Sequence, residues 1–161
     1  MTKNEFYMNE ALIEARKAYE KNEVPIGAVI VRYGEIIGRG HNLRESSKSP
    51  LAHAEILAIE NASFKLNGWR LTDCDIYVTL EPCLMCAGAI YQSRIVNLYY
   101  GATDYKAGAV ESIFRVLEEP KLNHHVSIKS GILETSCQSI LSDFFKKLRQ
   151  HKKDQKLASQ V

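Results

Sequence analysis

The sequence predicts a three-layer α/β/α domain built on a five-stranded mixed, mostly parallel sheet flanked by helices. Three observations lead there. Apolar, β-branched runs flank the turn Arg32-Tyr33-Gly34, the pattern of an antiparallel hairpin. Beyond it, strand-like runs at 75–80, 95–100 and 126–129 alternate with stretches of helical period. The last two runs are separated by roughly 25 residues, room for a parallel crossover rather than a tight return.

Each element has its own signal. Apolar side chains at Met8, Ala11, Leu12, Ala15, Ala18 and Tyr19 predict an amphipathic helix over residues 5–21. The first strand falls within the apolar run 24–31, and 35–40 returns as the second. Asn42 then opens a polar loop over 44–49. Ser49-Pro50 signals a helix that carries Ile56, Leu57 and Ile59 to about Leu66, where Asn67-Gly68 stops it. The third strand, 75–80, ends at Glu81, because Pro82 disfavours helix at the residue before it and suits the start of a helix over 83–92. The fourth strand, 95–100, closes at Gly101. A loop over 101–108 holds Asp104 and Lys106. Residues 111–118 predict a short helix ended by Pro120, and 126–129 the fifth strand. A final helix from 133 to about 152 carries Ile140, Leu141, Phe144, Phe145 and Leu148 on one side. Residues 1–152 thus form a single domain, followed by a basic tail, 153–161, expected to fray.

Composition narrows the function classes. With 161 residues, 45% hydrophobic and 25% charged, the chain has the balance of an ordinary globular domain. No apolar stretch approaches the ~18 residues of a membrane span. Met1 to Glu5 lacks the apolar core of a signal peptide, so a cytoplasmic protein is expected. There disulfides are rare, and Cys74 and Cys137 read as buried reduced thiols. Charge is uneven. Residues 144–161 hold Lys146, Lys147, Arg149, Lys152, Lys153 and Lys156 against one acid, Asp154, while the whole chain is only +2. That concentration suggests a polyanionic partner, although a solvated helix end has the same composition.

The chemistry concentrates in two short motifs. Cys83 and Cys86 are three apart at the start of a helix, so they lie on one side of it. The electropositive helix N-terminus favours their thiolates. Two cysteines do not complete a metal site; by themselves they also fit a redox pair or a structural zinc knuckle. Ala52-His53-Ala54-Glu55 offers the missing ligand in His53. Two residues apart within a helix, His53 and Glu55 would not face the same way. Both can act on one metal only if it sits just beyond the helix N-terminus. Three protein ligands leave a fourth tetrahedral position for water, as in catalytic zinc sites. Glu55 alone would be an ordinary macrodipole-stabilising acid; beside an open metal position it can serve as a base.

His-x-Glu followed by Pro-Cys-x-x-Cys is the signature of zinc-dependent nucleobase deaminases. Around it stand Val24-Pro25-Ile26-Gly27-Ala28-Val29, His41-Asn42, Trp69-Arg70-Leu71, Ser93-Arg94-Ile95, Gly101-Ala102-Thr103-Asp104, Asn123-His124, Gly131-Ile132-Leu133 and Leu141-Ser142-Asp143-Phe144-Phe145. Together they resemble the bacterial tRNA-specific adenosine deaminases, of the cytidine/deoxycytidylate deaminase superfamily, over nearly the whole chain. Two residues depart from that pattern. Glu111 stands where Gly is usual, and His125 where Arg is common after Asn-His.

The resemblance implies a cytidine-deaminase-like fold and a hydrolase acting on a cyclic amidine C–N bond. Its substrate would be the wobble adenosine of a tRNA anticodon stem-loop, converted to inosine. One Zn²⁺ per subunit on His53, Cys83 and Cys86 would activate the water that attacks C6, with Glu55 shuttling the proton. Asn42 would bond the flipped nucleotide and Ile26 wall its base. Asp104 and Lys106 would contact neighbouring nucleotides, and Phe144, Phe145 and Arg149 would receive the flanking loop. The same helical spacing equally fits the two phenylalanines as core. A homodimer, with each active site completed near the partner, is also implied. Two other functions fit the signature less well: a small-molecule deaminase of guanine, cytosine or a free nucleoside, and a non-catalytic zinc-containing RNA-binding partner. The predicted crossover favours a polynucleotide-acting member or a purine-base relative, since free-nucleoside cytidine deaminases return antiparallel there. The basic tail and the near-complete resemblance also speak against the first. The retained Glu55 speaks against the second.

Overall fold

The structure, a computed structural model, describes residues 1–160. Helix α1 (Lys3–Glu20) starts in a capping box, in which the Glu5 amide donates to the Thr2 hydroxyl and the Thr2 amide to the Glu5 carboxylate. Strands β1 (Gly27–Arg32) and β2 (Glu35–His41) follow as the predicted hairpin, turned by Tyr33 and Gly34 at positive φ. Then come α2 (Arg44–Ser47), α3 (Ala54–Leu66), β3 (Cys74–Leu80), α4 (Leu84–Gln92), β4 (Asn97–Ala102), β5 (Ser127–Lys129) and α5 (Glu134–Ala158).

The sheet order is β2-β1-β3-β4-β5. β1 is antiparallel to both neighbours, whereas β3, β4 and β5 pair in parallel. Only β1 runs against the rest, so the mixed, mostly parallel sheet is as expected, and so is the parallel crossover from β4 to β5. One direction shared by β2, β3 and β4 brings their C-terminal ends to a single edge, together with the start of β1.

Each face of the sheet has its own core. Ala54, Ala58 and Ala62 of α3, with Ala87 and Ile90 of α4, pack on Ala28, Ile30, Ile76, Val78 and Leu98. On the opposite face Tyr7, Met8, Ala11 and Leu12 of α1, with Cys137 of α5, pack on Val29, Val31 and Tyr77. Small residues let α3 lie close. A Cβ on Gly40 would sit 2.3 Å from the Ala54 carbonyl and 2.6 Å from the Ala58 amide. Only glycine therefore permits this approach, which sets α3 and the residue before it against the end of β2.

Four elements depart from expectation. Residues 44–47 form the short helix α2 instead of a loop, because buried Glu23 accepts from the Glu45 and Ser46 amides at 3.0 and 2.7 Å. That carboxylate supplies the cap that Leu43 cannot. Residues 111–118 do not make a helix; they turn, and only Val116–Glu118 forms a 3-10 turn. Their leading amides are drawn onto Glu81, and both Ile113 and Phe114 then donate to the Gly108 carbonyl. Gly101 lies inside β4 rather than closing it, with Cys137 packed on its face. Finally, α5 runs helical to Ala158, beyond the end expected near Lys152 and through most of the basic segment expected to fray.

Two buried acids tie the α1 side together. Glu14 receives Lys17, Arg39 and His41. Burial alone would raise its carboxyl, but bonds from Lys17 and His41 outweigh that and hold it below 4.5. Burial is likewise outweighed at Glu23 by the Ser46 hydroxyl and the Ser46 and Glu45 amides. A group depressed in the folded state contributes stability that is present above its unfolded value and lost as pH falls through the folded one. Urea unfolding between about pH 6 and pH 3 is therefore expected to show falling stability below about pH 4.5. Glu23→Gln, which cannot ionise, should give a shallower fall; an unchanged profile would remove Glu23 from that linkage.

Candidate active site

A cavity of about 560 Å³ opens at the edge where β2, β3 and β4 end and β1 begins. Its floor is made by the starts of α3 and α4. His53 is the N-cap residue of α3 and Cys83 that of α4, both with extended backbone, and neither side chain caps its own helix. Each side chain is thus free to point past its helix end. Cys83 consequently lies just before α4, not in the first turn of a helix over 83–92 as expected. This also resolves the spacing of His53 and Glu55: one precedes the helix and the other is its second residue, and both line the cavity.

The three candidate ligands converge. The Cys83 and Cys86 sulfurs lie 3.6 and 3.5 Å from His53 Nδ1, and all three ligand atoms fall within 4.8 Å of one another. Tetrahedral zinc with bonds of about 2.05 Å to nitrogen and 2.3 Å to sulfur spans a nitrogen–sulfur edge of ~3.6 Å. The residues fit such an ion without rearrangement. Electrostatics agree. The Cys86 thiol, bonded to Cys83, pulls the Cys83 thiol far below its ordinary value, with His53 adding to the effect. Cys86 is pushed up in turn, and His53 is raised chiefly by its bond to Cys83. One negative charge thus sits among three donors in a partly buried place, where a cation would stabilise it. Beside them Glu55 is buried, and desolvation pushes its carboxyl up to about 7, helped by the charge on Cys83.

The predicted substrate residues divide. Asn42 and Ile26 line the inner wall. Asn42 Nδ2 donates to the Val24 carbonyl at 3.2 Å, and its Oδ1 accepts from the Arg44 amide at 3.1 Å. The orientation is fixed, and the amide still has one N–H and one lone pair to offer. Asp104, Lys106 and Phe145 also line the cavity. Arg149 does not; with Lys106 and Phe145 it borders an adjoining depression of about 390 Å³. Phe144 turns away altogether. It is buried against Tyr19, ring centroids 5.7 Å apart, the core placement that its helical spacing equally fitted, and Phe145, the next residue along α5, faces the cavity.

Sequence reading missed the residue that builds the outer wall. Glu81, buried at the end of β3, accepts from the amides of Asp104, Val110, Glu111 and Ser112 at 2.9 to 3.2 Å, and from the Ser112 hydroxyl. Burial opposes its charge, but these bonds prevail and its carboxyl is lowered. A Cβ on Gly108 would lie 2.4 Å from the Glu81 carboxyl carbon, so that turn also demands glycine. A carboxylate directly after an apolar strand was the available signal, since such a group needs buried partners. Arg44 and Tyr105 line the cavity as well and carried no motif, and Leu141, which opens the motif that contains Phe144 and Phe145, joins them. The departure at Glu111 is absorbed locally: its carboxylate accepts from the Tyr100 hydroxyl at 2.5 Å. His125 is exposed.

The model of the MafB19-like deaminase family matches residues 2–149. A tRNA-specific adenosine deaminase of Bacillus subtilis is 51% identical over 153 residues, 95% of each chain. One of Aquifex aeolicus is 50% identical over 145 residues, covering 90% of this chain and 95% of its own. A solved structure from studies of A-to-I editing by tRNA:A34 deaminases at the wobble position of transfer RNA is also similar. It is 48% identical, with TM-score 0.81, over 84% of this chain and 99% of that one.

Proposed function

The chain belongs to the MafB19-like deaminase family and to the tRNA-specific adenosine deaminases; from that premise we propose that it hydrolyses the wobble adenosine of a tRNA anticodon to inosine. The observation that carries this reading is the cavity floor, where a buried carboxylate stands beside a His, Cys, Cys cluster of zinc-sized spacing. His53, Cys83 and Cys86 would hold one Zn²⁺, which supplies Lewis-acid activation of water at neutral pH.

The protein's own groups do the rest. Glu55 accepts a proton from the attacking water and delivers it to N1 of adenine, then takes the second proton from the hydroxyl now on C6 and passes it to the departing amine. A bond forms between the water oxygen and C6, the C6–N6 bond breaks, and ammonia leaves. Asn42, held from both sides, orients the flipped nucleotide, and Ile26 packs on its base. With Glu55 buried at the floor, the base must leave its stack to react. Asp104, Lys106, Phe145 and Arg149 lie on the side where flanking nucleotides would pass. Helix α5 carries its lysines onward from there, matching phosphate neutralisation along the stem. A tRNA substrate supports the cytoplasmic expectation. No helix among the described residues is long and apolar enough to cross a membrane. A homodimer is the expected assembly.

Binding energy from the flanking nucleotides must be used to position the base, so a truncated substrate should lose rate as well as affinity. An anticodon stem-loop with adenosine at the wobble position is expected to be converted at least about 10³-fold more efficiently than free adenosine. Ammonia release and inosine mapping measure it. Faster turnover of free adenosine, guanine or cytidine than of the stem-loop would replace this reading with a small-molecule deaminase.

A further inference from the structure

We propose that Tyr105 is a stacking platform for a nucleobase flanking the target adenosine, an affinity-determining substrate contact that rests on the tRNA reading above. Tyr105 lines the cavity yet the residue is 76% exposed, the state of a large aromatic that does not serve the core. The backbone on both sides is already held. Asp104 Oδ1 accepts from the Lys106 and Ala107 amides at 3.0 and 3.2 Å, and the Asp104 carbonyl accepts from Gly108 at 3.0 Å. Glu81 fixes the Asp104 amide from below. The ring is therefore presented on a pre-ordered turn, and stacking on it costs little loop entropy.

Its surroundings match a single-stranded RNA path. Phe145, 40% exposed, lines the same cavity, and Lys106 stands between this cavity and the depression that Arg149 borders. Exposed aromatic faces interleaved with cations bind unstacked bases and track phosphates, without demanding one base identity. A ring at the rim rather than on the floor would meet the neighbour of the reacting nucleotide. The phenol oxygen is not needed for stacking, which separates this role from a hydrogen-bonding one.

The experiment measures single-turnover deamination of an anticodon stem-loop across protein concentrations, for the wild type, Tyr105→Phe and Tyr105→Ala. Tyr105→Ala is expected to raise the half-saturating concentration about tenfold or more, with little change in the maximal rate. Tyr105→Phe should stay within about twofold of wild type, since the π-face is kept. The same titrations on stem-loops with an abasic site at either flanking position locate the partner. At one position the wild type should lose affinity about as much as Tyr105→Ala loses on the intact loop, and Tyr105→Ala should lose almost nothing further. Equal half-saturation for wild type and Tyr105→Ala overturns the proposal. So does additive loss at both abasic positions, or loss in Tyr105→Phe as large as in Tyr105→Ala. Wild type that leaves the stem-loop adenosine unconverted overturns the tRNA reading itself, and this contact with it.

Discussion

Glu55→Ala is expected to keep its full complement of zinc and to lose about 10³-fold or more in turnover of the stem-loop. The two halves have separate causes. Zinc would be held by His53, Cys83 and Cys86, whose atoms lie within 4.8 Å of one another without any contribution from Glu55. Turnover needs a group that moves two protons in succession, one from water to the ring and one from the new hydroxyl to the amine, and Glu55 is the buried carboxylate beside that cluster. Its placement also sets a stability expectation. Desolvation is the largest cause raising this carboxyl, so the folded chain bears a cost to keep it there. Removing it should leave the melting temperature unchanged or higher, as when a functional group is traded for stability. Glu55→Gln, with the same shape and no proton to pass, should be as inactive as the alanine variant. Zinc by elemental analysis and rate by inosine mapping test both halves. Near-normal turnover with normal zinc would remove Glu55 from the mechanism.

Cys86→Ala is expected to fail in the other order, losing the metal first and activity as a consequence. Cys86 is fully buried on the third residue of α4, and its sulfur lies 3.5 Å from His53 Nδ1. Ligand bonds contribute to folding, because the unfolded chain does not hold a preformed site. Loss of one should cost about 3–5 kcal/mol, roughly 10 °C for a domain of this size. Stripping the wild type with a chelator should bring its melting temperature close to that of the variant. Cys74→Ala is the matching control: a buried thiol at the start of β3, away from the cluster, whose loss opens a small cavity but should leave zinc in place. A stable, zinc-loaded Cys86→Ala protein would mean that the ligand set is wrong.

Much of the architecture follows from short-range rules. The capped first helix, the Tyr33-Gly34 hairpin, the Asn67 stop and the strand ending before Pro82 each depend on a few adjacent residues, so local chemistry was enough to find them. The alternation of these elements determined the sheet, including the parallel return to β5. His53, Glu55, Cys83 and Cys86 were legible because metal ligation and proton transfer restrict residue type and spacing more tightly than packing does.

What remained hidden depends on partners far apart in the chain. A four-residue helix at Arg44–Ser47 exists because Glu23 reaches its free amides, and the turns after Gly108 exist because Glu81 takes theirs. No window containing only the acceptor or only the donors carries that information. Phe144 and Phe145 share one periodic stripe, yet only the packing of α5 on Tyr19 decides which is core and which faces the cavity. Sequence by itself therefore determined the fold class and the candidate cluster of His53, Glu55, Cys83 and Cys86, because both are written in local spacing. The tertiary structure alone decided the cavity walls, since buried carboxylates and helix orientation satisfy their bonds across tens of residues.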